Sequence, residues 1–171
     1  MDITDLFALG VQVGNKLVAR HETVAVAESS AGGLISAALL ARAGASAYYL
    51  GGAVLYTRRA GRLLTALTAD DTRGMRSSST PYARLLAQHQ RKRFRASWGL
   101  AETGAAGPTG NIYGDPAGHA CLAVDGPVPR DRTLLTGLED RSRNMIVFAT
   151  AALALLNDAI DAAQGEGGIG R

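Results

Sequence analysis

The chain has few of the residues from which disulfide-linked, metal-binding or membrane-spanning proteins are built. Its 171 residues include one cysteine and three histidines, and these have no spacing typical of metal ligands. Cys121 lies in a strand-like apolar segment, which predicts a buried thiol. No apolar run reaches the roughly 20 residues that a membrane helix needs. We therefore expect no disulfide scaffold, no metal, no cofactor and no membrane contact.

Lysine is also scarce, since Lys16 and Lys92 are the only two, and the net charge of +3 is carried almost wholly by arginine. A guanidinium stays protonated in proteins, so arginine cannot serve as a general base. The basic balance gives only a weak preference for anionic ligands such as phosphates. The run Arg91 to Arg95 could bind nucleic acid, but it ends a helical pattern that begins near Pro81. We favour a solvated helix end and consider a nucleic-acid partner unlikely.

The length of the chain indicates one domain, and the residues at its amino terminus indicate where in the cell the protein is found. A chain of 171 residues is a typical single-domain size, and we expect a domain at 1–164 with a flexible tail at 165–171. Asp2 and Asp5 open the chain where a secretory signal would be basic, so we expect a cytoplasmic protein.

Hydrophobic periodicity predicts alternating helices and strands. The predicted helices span 2–20, 33–43, 58–67, 80–95 and 140–163, and the predicted strands 23–27, 49–56, 97–103, 118–125 and 132–137. The turn residues that follow Val124 favour a late antiparallel hairpin. We expect a three-layer α/β/α sandwich with a mixed, mainly parallel sheet.

Two turns rich in glycine follow predicted strands, one at 27–33 and one at 104–110. The first opens a helix, where free backbone N–H groups and the helix dipole favour an anion such as phosphate. In open α/β sheets ligands bind outside the carboxyl ends of the strands, so both turns can line one cleft. An ordinary strand-to-helix connection with a serine cap is the alternative. Neither turn has the lysine of a P-loop or the G-x-G-x-x-G spacing.

Six short motifs stand in order along the chain: A-E-S-S-A-G-G (27–33), G-A-S-A-Y-Y (44–49), Y-T-R-R-A-G (56–61), T-G-A-A-G-P (103–108), P-A-G (116–118) and E-D-R (139–141). They resemble A-E-S-C-T-G-G, G-S-S-x-x-F, Y-S-N-x-x-K, T-G-x-A-G-P, P-x-G and G-D-R of the CinA C-terminal domain family, the nicotinamide mononucleotide amidohydrolases. The resemblance covers most of the chain. It implies hydrolysis of nicotinamide mononucleotide to nicotinate mononucleotide and ammonia, and self-association into a homo-oligomer.

The resemblance implies a serine nucleophile at Ser46, but Gly61 stands where the family has its candidate lysine base. The neighbouring arginines cannot replace that lysine. His119 is a possible substitute base, because imidazole titrates near neutrality. The alternative for His119 is a strand-edge histidine with no role.

The predicted cleft has two walls. Ser29, Ser30, Gly32 and Gly33 form one wall, and Thr103, Gly104 and Gly107 form the other. Tyr56 and Thr103 join Ser46 as catalytic candidates, and Arg141 is placed to bind a phosphate bidentately. Tyr56 could instead be a core residue with a wet hydroxyl, and Arg141 a solvated arginine.

Glu102 stands where the family has a small or apolar residue. If its carboxylate entered the cleft, it would repel a phosphate. Strand alternation could also turn Glu102 away and leave Thr103 facing the ligand.

Three hypotheses remain open from the sequence. The chain is an active amidohydrolase with a substitute base, or a CinA-like domain that lost catalysis and binds a nucleotide or serves a regulatory role. The third is an interaction or nucleic-acid-associated protein that uses the Arg91 to Arg95 surface, for which binding would depend steeply on salt.

Overall fold

The computed structural model describes residues 2–166, which form five α-helices, five strands and one turn of 3-10 helix. In chain order the elements are α1 (Ile3–Ala19), β1 (Val24–Glu28), α2 (Leu34–Leu40), the 3-10 turn (Ala45–Ala47), β2 (Tyr49–Val54), α3 (Arg58–Thr65), α4 (Thr80–Phe94), β3 (Trp98–Ala105), β4 (His119–Asp125), β5 (Arg130–Leu135) and α5 (Arg141–Glu166).

The strands form one sheet in the order β2-β1-β3-β4-β5. β1 pairs in parallel with β2 and β3, whereas β4 is antiparallel to both of its neighbours. Four strands therefore run in one direction, and β4 alone runs against them. The predicted mixed, mainly parallel sheet with a late hairpin is confirmed.

Alternating side chains of the strands divide the core into two layers. Val24 and Val26 of β1 pack with residues of α1, α2 and α5, whereas Ala27 packs with residues of α4 on the other face. The three-layer α/β/α arrangement is therefore also confirmed. The carboxyl ends of β1, β2 and β3 meet at one edge of the sheet, which is where the candidate site lies.

The helices and strands begin and end at residues that differ from the predicted ones mainly where a glycine or the pairing between strands sets the end. Gly33 has a φ of +100°, so α2 begins one residue later, and Gly44 with a φ of +77° precedes the unpredicted 3-10 turn. β3 continues two residues into the predicted second turn, because Gly104 and Ala105 pair with Ala120 and His119 of β4. β5 begins two residues before the predicted strand.

The last helix is long and apolar enough, by length and composition, to cross a membrane from Arg141 to Ala163, contrary to the expectation that no segment is. Half of its most apolar window is buried, and α5 packs against α1, α2 and the last three strands. This packing explains its composition, because the central helix of a folded core is apolar nearly all round. α5 continues to Glu166, so the first two residues of the predicted tail are helical, and 167–171 lie outside the described residues.

The basic run ends α4, as predicted, with Arg95 as the C-cap. Arg91 Nε donates to Asp125 Oδ2 at 2.5 Å, and Arg93 Nη1 donates to the Leu64 carbonyl at 2.5 Å. Two of its cations are therefore engaged with the protein itself.

Candidate functional site

The buried carboxylate of Glu28 caps the start of α2. It accepts hydrogen bonds from three backbone N–H groups, at 2.9–3.0 Å, donated by Gly33, Ile35 and Ser36. The expectation of free N–H groups at this helix start is therefore wrong, because the protein's own carboxylate neutralises the positive end of the helix dipole. Gly32 and Gly33 do not serve as ligand donors, since the Gly32 N–H donates to the Ser29 carbonyl.

Glu102 secures the rest of the first turn from the neighbouring strand β3. Its Oε2 accepts the N–H groups of Ser29 and Ala31 at 2.9 Å each, and its Oε1 is bonded to the Ser30 hydroxyl. Glu102 is fully buried at 0% exposure, and burial raises the pKa of its carboxyl group, with the nearby Glu28 acting in the same direction. Glu102 therefore points into the protein and braces the turn.

Thr103 faces the opposite side of the sheet, as strand alternation requires. It is 2% exposed, and its Oγ1 accepts the Ser78 N–H at 3.2 Å. The expectation that Thr103 lines the ligand cleft is therefore wrong. Its hydroxyl anchors the segment that leads into α4.

A cavity of about 360 Å³, called here the turn cavity, lies at the carboxyl edge of the sheet between the two glycine turns. Six predicted site residues line it, together with Asn111 and others: Ser29, Ser30, Tyr56, Gly104, Gly107 and Arg141. The sequence-based expectation that the two turns share one cleft is met in this arrangement.

Arg141 and Tyr56 form one side of the turn cavity. Arg141 Nη1 donates to the Gly107 carbonyl at 2.7 Å, and Nη2 donates to Tyr56 Oη at 2.9 Å, with the guanidinium carbon 5.7 Å from the centroid of the tyrosine ring. Among residues 2–166 no carboxylate pairs with Arg141. A guanidinium has five N–H donors, so three are left for a ligand. Tyr56 is 61% exposed, which rules out a core position.

The second turn offers the backbone donors that the first turn lacks. Ala106, Gly107, Thr109 and Gly110 line the cavity, and their N–H groups bond no other residue in the part of the chain that the structure describes. The Ser30 N–H is equally free within that part. Such a group of unpaired N–H donors beside an arginine suits a phosphate or another oxyanion.

Asn144, which the sequence did not single out, fixes the shape of the second turn. It is fully buried, and its Nδ2 donates to the carbonyls of Ala106 and Leu138 at 2.8 Å each. Its Oδ1 accepts the Thr136 hydroxyl at 2.6 Å. Asn144 follows three polar residues at the start of α5, so no feature of the sequence marks it for this role.

Ser46 lies apart from the turn cavity. It belongs to the 3-10 turn that precedes β2, at the amino end of this strand, whereas the cavity lies at the carboxyl ends. The two places are separated by the length of a short strand, on the order of 15 Å. Ser46 is exposed and does not meet the other predicted residues, so the expectation that it shares their cleft is wrong.

His119 does not line the turn cavity either. Its Nε2 lies 2.9 Å from the Ser78 carbonyl and 3.6 Å from Cys121 Sγ. A carbonyl only accepts hydrogen bonds, so Nε2 carries the proton and donates. Asp115 Oδ1 lies 3.8 Å away, and the Arg76 guanidinium holds the pKa of that carboxyl at about 2. The ring of His119 therefore holds the backbone at Ser78, and among residues 2–166 it is bonded to no serine of the turn cavity.

A family model for the CinA C-terminal domain matches residues 7–160. A CinA-like protein of Mycobacterium sp. (strain JLS) is 40% identical over 147 residues, which cover 84% of this chain and 34% of the relative. A CinA-like protein of Anaeromyxobacter sp. (strain K) is 37% identical over 145 residues, covering 85% and 36%. The chain thus spans about a third of the length of these relatives.

Solved structures show the same fold. A CinA-superfamily protein from Klebsiella pneumoniae superposes with a TM-score of 0.84 at 25% identity, covering 92% of this chain and 98% of the other. A competence/damage-inducible protein from Agrobacterium tumefaciens gives a TM-score of 0.82 at 28% identity, covering 91% and 95%.

Proposed function

This chain belongs to the CinA C-terminal domain family, and we propose that it binds a pyridine mononucleotide such as nicotinamide mononucleotide without hydrolysing it efficiently. One observation carries this proposal. No histidine, lysine, cysteine, aspartate or glutamate is among the described residues that line the turn cavity. Among residues 2–166 the Ser29 hydroxyl has no hydrogen-bonded general base, and the Glu102 carboxylate that accepts the Ser30 hydroxyl is also held by the N–H groups of Ser29 and Ala31.

The donors of the cavity support a phosphorylated ligand. Arg141 has unused N–H groups and no carboxylate partner within residues 2–166, and the free N–H groups of the second turn lie beside it. Charge-assisted hydrogen bonds of this kind are the strong ones. The exposed ring of Tyr56 offers a face on which a pyridine ring can stack. A volume of about 360 Å³ lies in the range of small-molecule sites.

The test is calorimetric titration of the full chain with nicotinamide mononucleotide. Arg141→Ala should weaken binding about tenfold or more, since hydrogen bonds to a charged group contribute roughly 1.5–3 kcal/mol. Arg143→Ala is the matched control, because this arginine is exposed in the same helical turn and does not line the cavity. Equal affinity of wild type and Arg141→Ala would contradict the proposed site.

Amide hydrolysis is the second candidate, and the position of Ser29 favours it. Its hydroxyl lines the turn cavity and has no hydrogen-bond partner among residues 2–166, whereas the Ser30 hydroxyl is taken by Glu102. The free N–H groups of the second turn would serve as donors to the oxyanion that forms during attack on an amide. If the chain hydrolyses the amide, the structure favours Ser29 over Ser46 as nucleophile.

Ammonia release from nicotinamide mononucleotide separates the two candidates. We expect no release above the protein-free rate from the wild type. Should release occur, Ser29→Ala should abolish it and Ser46→Ala should leave it unchanged. Release from Gly61→Lys but not from the wild type would show that a lysine on α3 can supply the missing base.

A further inference from the structure

A second cavity, called here the α3 cavity, lies beside α3 and is separate from the turn cavity. Its volume is about 310 Å³, at the small end of the range for ligand pockets. Residues of α3, of the segment between α3 and α4, and of the loop after β3 line it. None of these lining residues lines the turn cavity.

Gly61 keeps the α3 cavity open. It lies in the middle of α3, and a Cβ built on it would have one neighbour within 4 Å, the Tyr82 hydroxyl at 3.8 Å. An alanine would therefore fit here, and the glycine leaves this part of the cavity lining without a side chain, although a helix prefers alanine.

The lining of the α3 cavity carries positive charge without a carboxylate. Arg58 and Arg62 line it, and no aspartate or glutamate does. Arg58 Nη2 donates to the Tyr113 hydroxyl at 2.7 Å. Within residues 2–166 the Arg62 guanidinium has neither a hydrogen-bond nor an ion-pair partner. Unpaired cations at a cavity attract an anion.

The other lining residues are apolar or aromatic. Leu67 and Met75 provide apolar surface, and the rings of Tyr82 and Tyr113 stand at the same cavity. The Arg58 hydrogen bond lowers the pKa of the Tyr113 phenol, and Arg76 lies over the Tyr113 ring at 5.6 Å from its centroid. This side of the cavity suits a flat apolar body, since aromatic rings pack offset or edge-to-face against others.

We propose that the α3 cavity binds a small molecule with one aromatic ring and one anionic group, the anion on Arg62 and Arg58 and the ring among Tyr82, Leu67 and Met75. Carboxylate and phosphate share the required chemistry, and probes of both kinds distinguish them. The inference does not depend on the proposed function, because the two cavities have no lining residue in common.

The test is an NMR titration of the full chain with benzoate, phenyl phosphate and the neutral analogue benzyl alcohol. At least one of the two anions should bind and shift the signals of residues around Gly61. Benzyl alcohol should bind at least about tenfold more weakly than that anion. Whichever anion binds more tightly identifies the preferred group. Equal binding of benzyl alcohol and the anions, or no binding of either anion at millimolar concentration, would overturn the proposal.

Three variants localise the binding. Arg62→Ala should weaken the anion about tenfold, and Gly61→Leu should exclude it by filling the cavity. Arg59→Ala, the exposed arginine next to Arg58 that does not line the cavity, should bind as the wild type does. Equal weakening by Arg59→Ala and Arg62→Ala would indicate attraction by general charge and overturn the proposal. Since Arg62→Ala is an exposed substitution, it remains informative if Gly61→Leu does not fold.

The variant Arg141→Ala distinguishes binding in the α3 cavity from binding in the turn cavity. It should weaken nicotinamide mononucleotide and leave benzoate or phenyl phosphate binding unchanged. Loss of the aromatic anion in Arg141→Ala would place it in the turn cavity and contradict the inference.

Discussion

Two buried carboxylates, Glu28 and Glu102, determine what the first glycine turn can bind. Between them they accept five backbone N–H groups from the segment 29–36. A ligand phosphate would have to displace one of them, and each would then be a buried charge without donors. The hydrogen-bond donors that remain free for an anion at this site are therefore those of the second turn and of Arg141.

The pH dependence of stability should report on Glu102. Burial raises the pKa of its carboxyl above the ordinary value of 4.5, so the folded state holds this proton more tightly than the unfolded state. The stabilisation is complete below pH 4.5 and is lost as the pH rises through the folded pKa. Relative to Glu102→Gln, the wild-type free energy of unfolding should therefore fall as the pH rises from 4 to 8.

Urea unfolding of both proteins across this range measures the effect. Glu139→Gln, a change at an exposed glutamate, should run parallel to the wild type. A constant difference between wild type and Glu102→Gln at every pH would show that burial does not shift the Glu102 carboxyl.

At the scale of helices and strands, glycine has opposite roles in two helices. A Cβ at Gly10 of α1 would collide with the Ala38 carbonyl of α2, so this glycine allows the two helices to approach closely. A Cβ at Gly61 of α3 would instead make one ordinary van der Waals contact, with the Tyr82 hydroxyl at 3.8 Å. The same substitution should therefore have opposite effects at the two positions.

Gly61→Ala should raise the free energy of unfolding by about 0.5–1 kcal/mol, because alanine loses less backbone entropy in a helix. Gly10→Ala should lower it by roughly 1–3 kcal/mol, since the collision exceeds that gain. Chemical denaturation of the two variants tests this pair. A gain in stability for Gly10→Ala would show that α1 and α2 can separate without loss of packing.

Most of the helices and strands could be predicted from the sequence, because apolar periodicity marks which residues face the core. All five helices and all five strands were expected, with ends that moved by a few residues. The 3-10 turn around Ser46 could not be predicted, since three residues carry no periodicity. Its position decided the site, because it leaves Ser46 at the far end of β2.

At the scale of the whole molecule, the sheet brings two turns that are 70 residues apart in the chain to one edge. Sequence reasoning found this edge because parallel strands align their carboxyl ends. It could not determine which hydrogen bonds were already made inside the protein, such as those of Glu102 to the first turn. Those bonds depend on the pairing of β1 with β3, a contact between distant parts of the chain.

We propose that this CinA-family domain binds a phosphorylated pyridine in the turn cavity, where the Ser29 hydroxyl has no base bonded to it among residues 2–166. One proton NMR experiment tests both halves of this claim: nicotinamide mononucleotide mixed with an equimolar amount of the full chain and followed overnight. We predict that the nucleotide signals shift or broaden on mixing and that no nicotinate mononucleotide forms. Unperturbed signals would contradict binding, and conversion to nicotinate mononucleotide and ammonia would contradict the absence of a catalytic base.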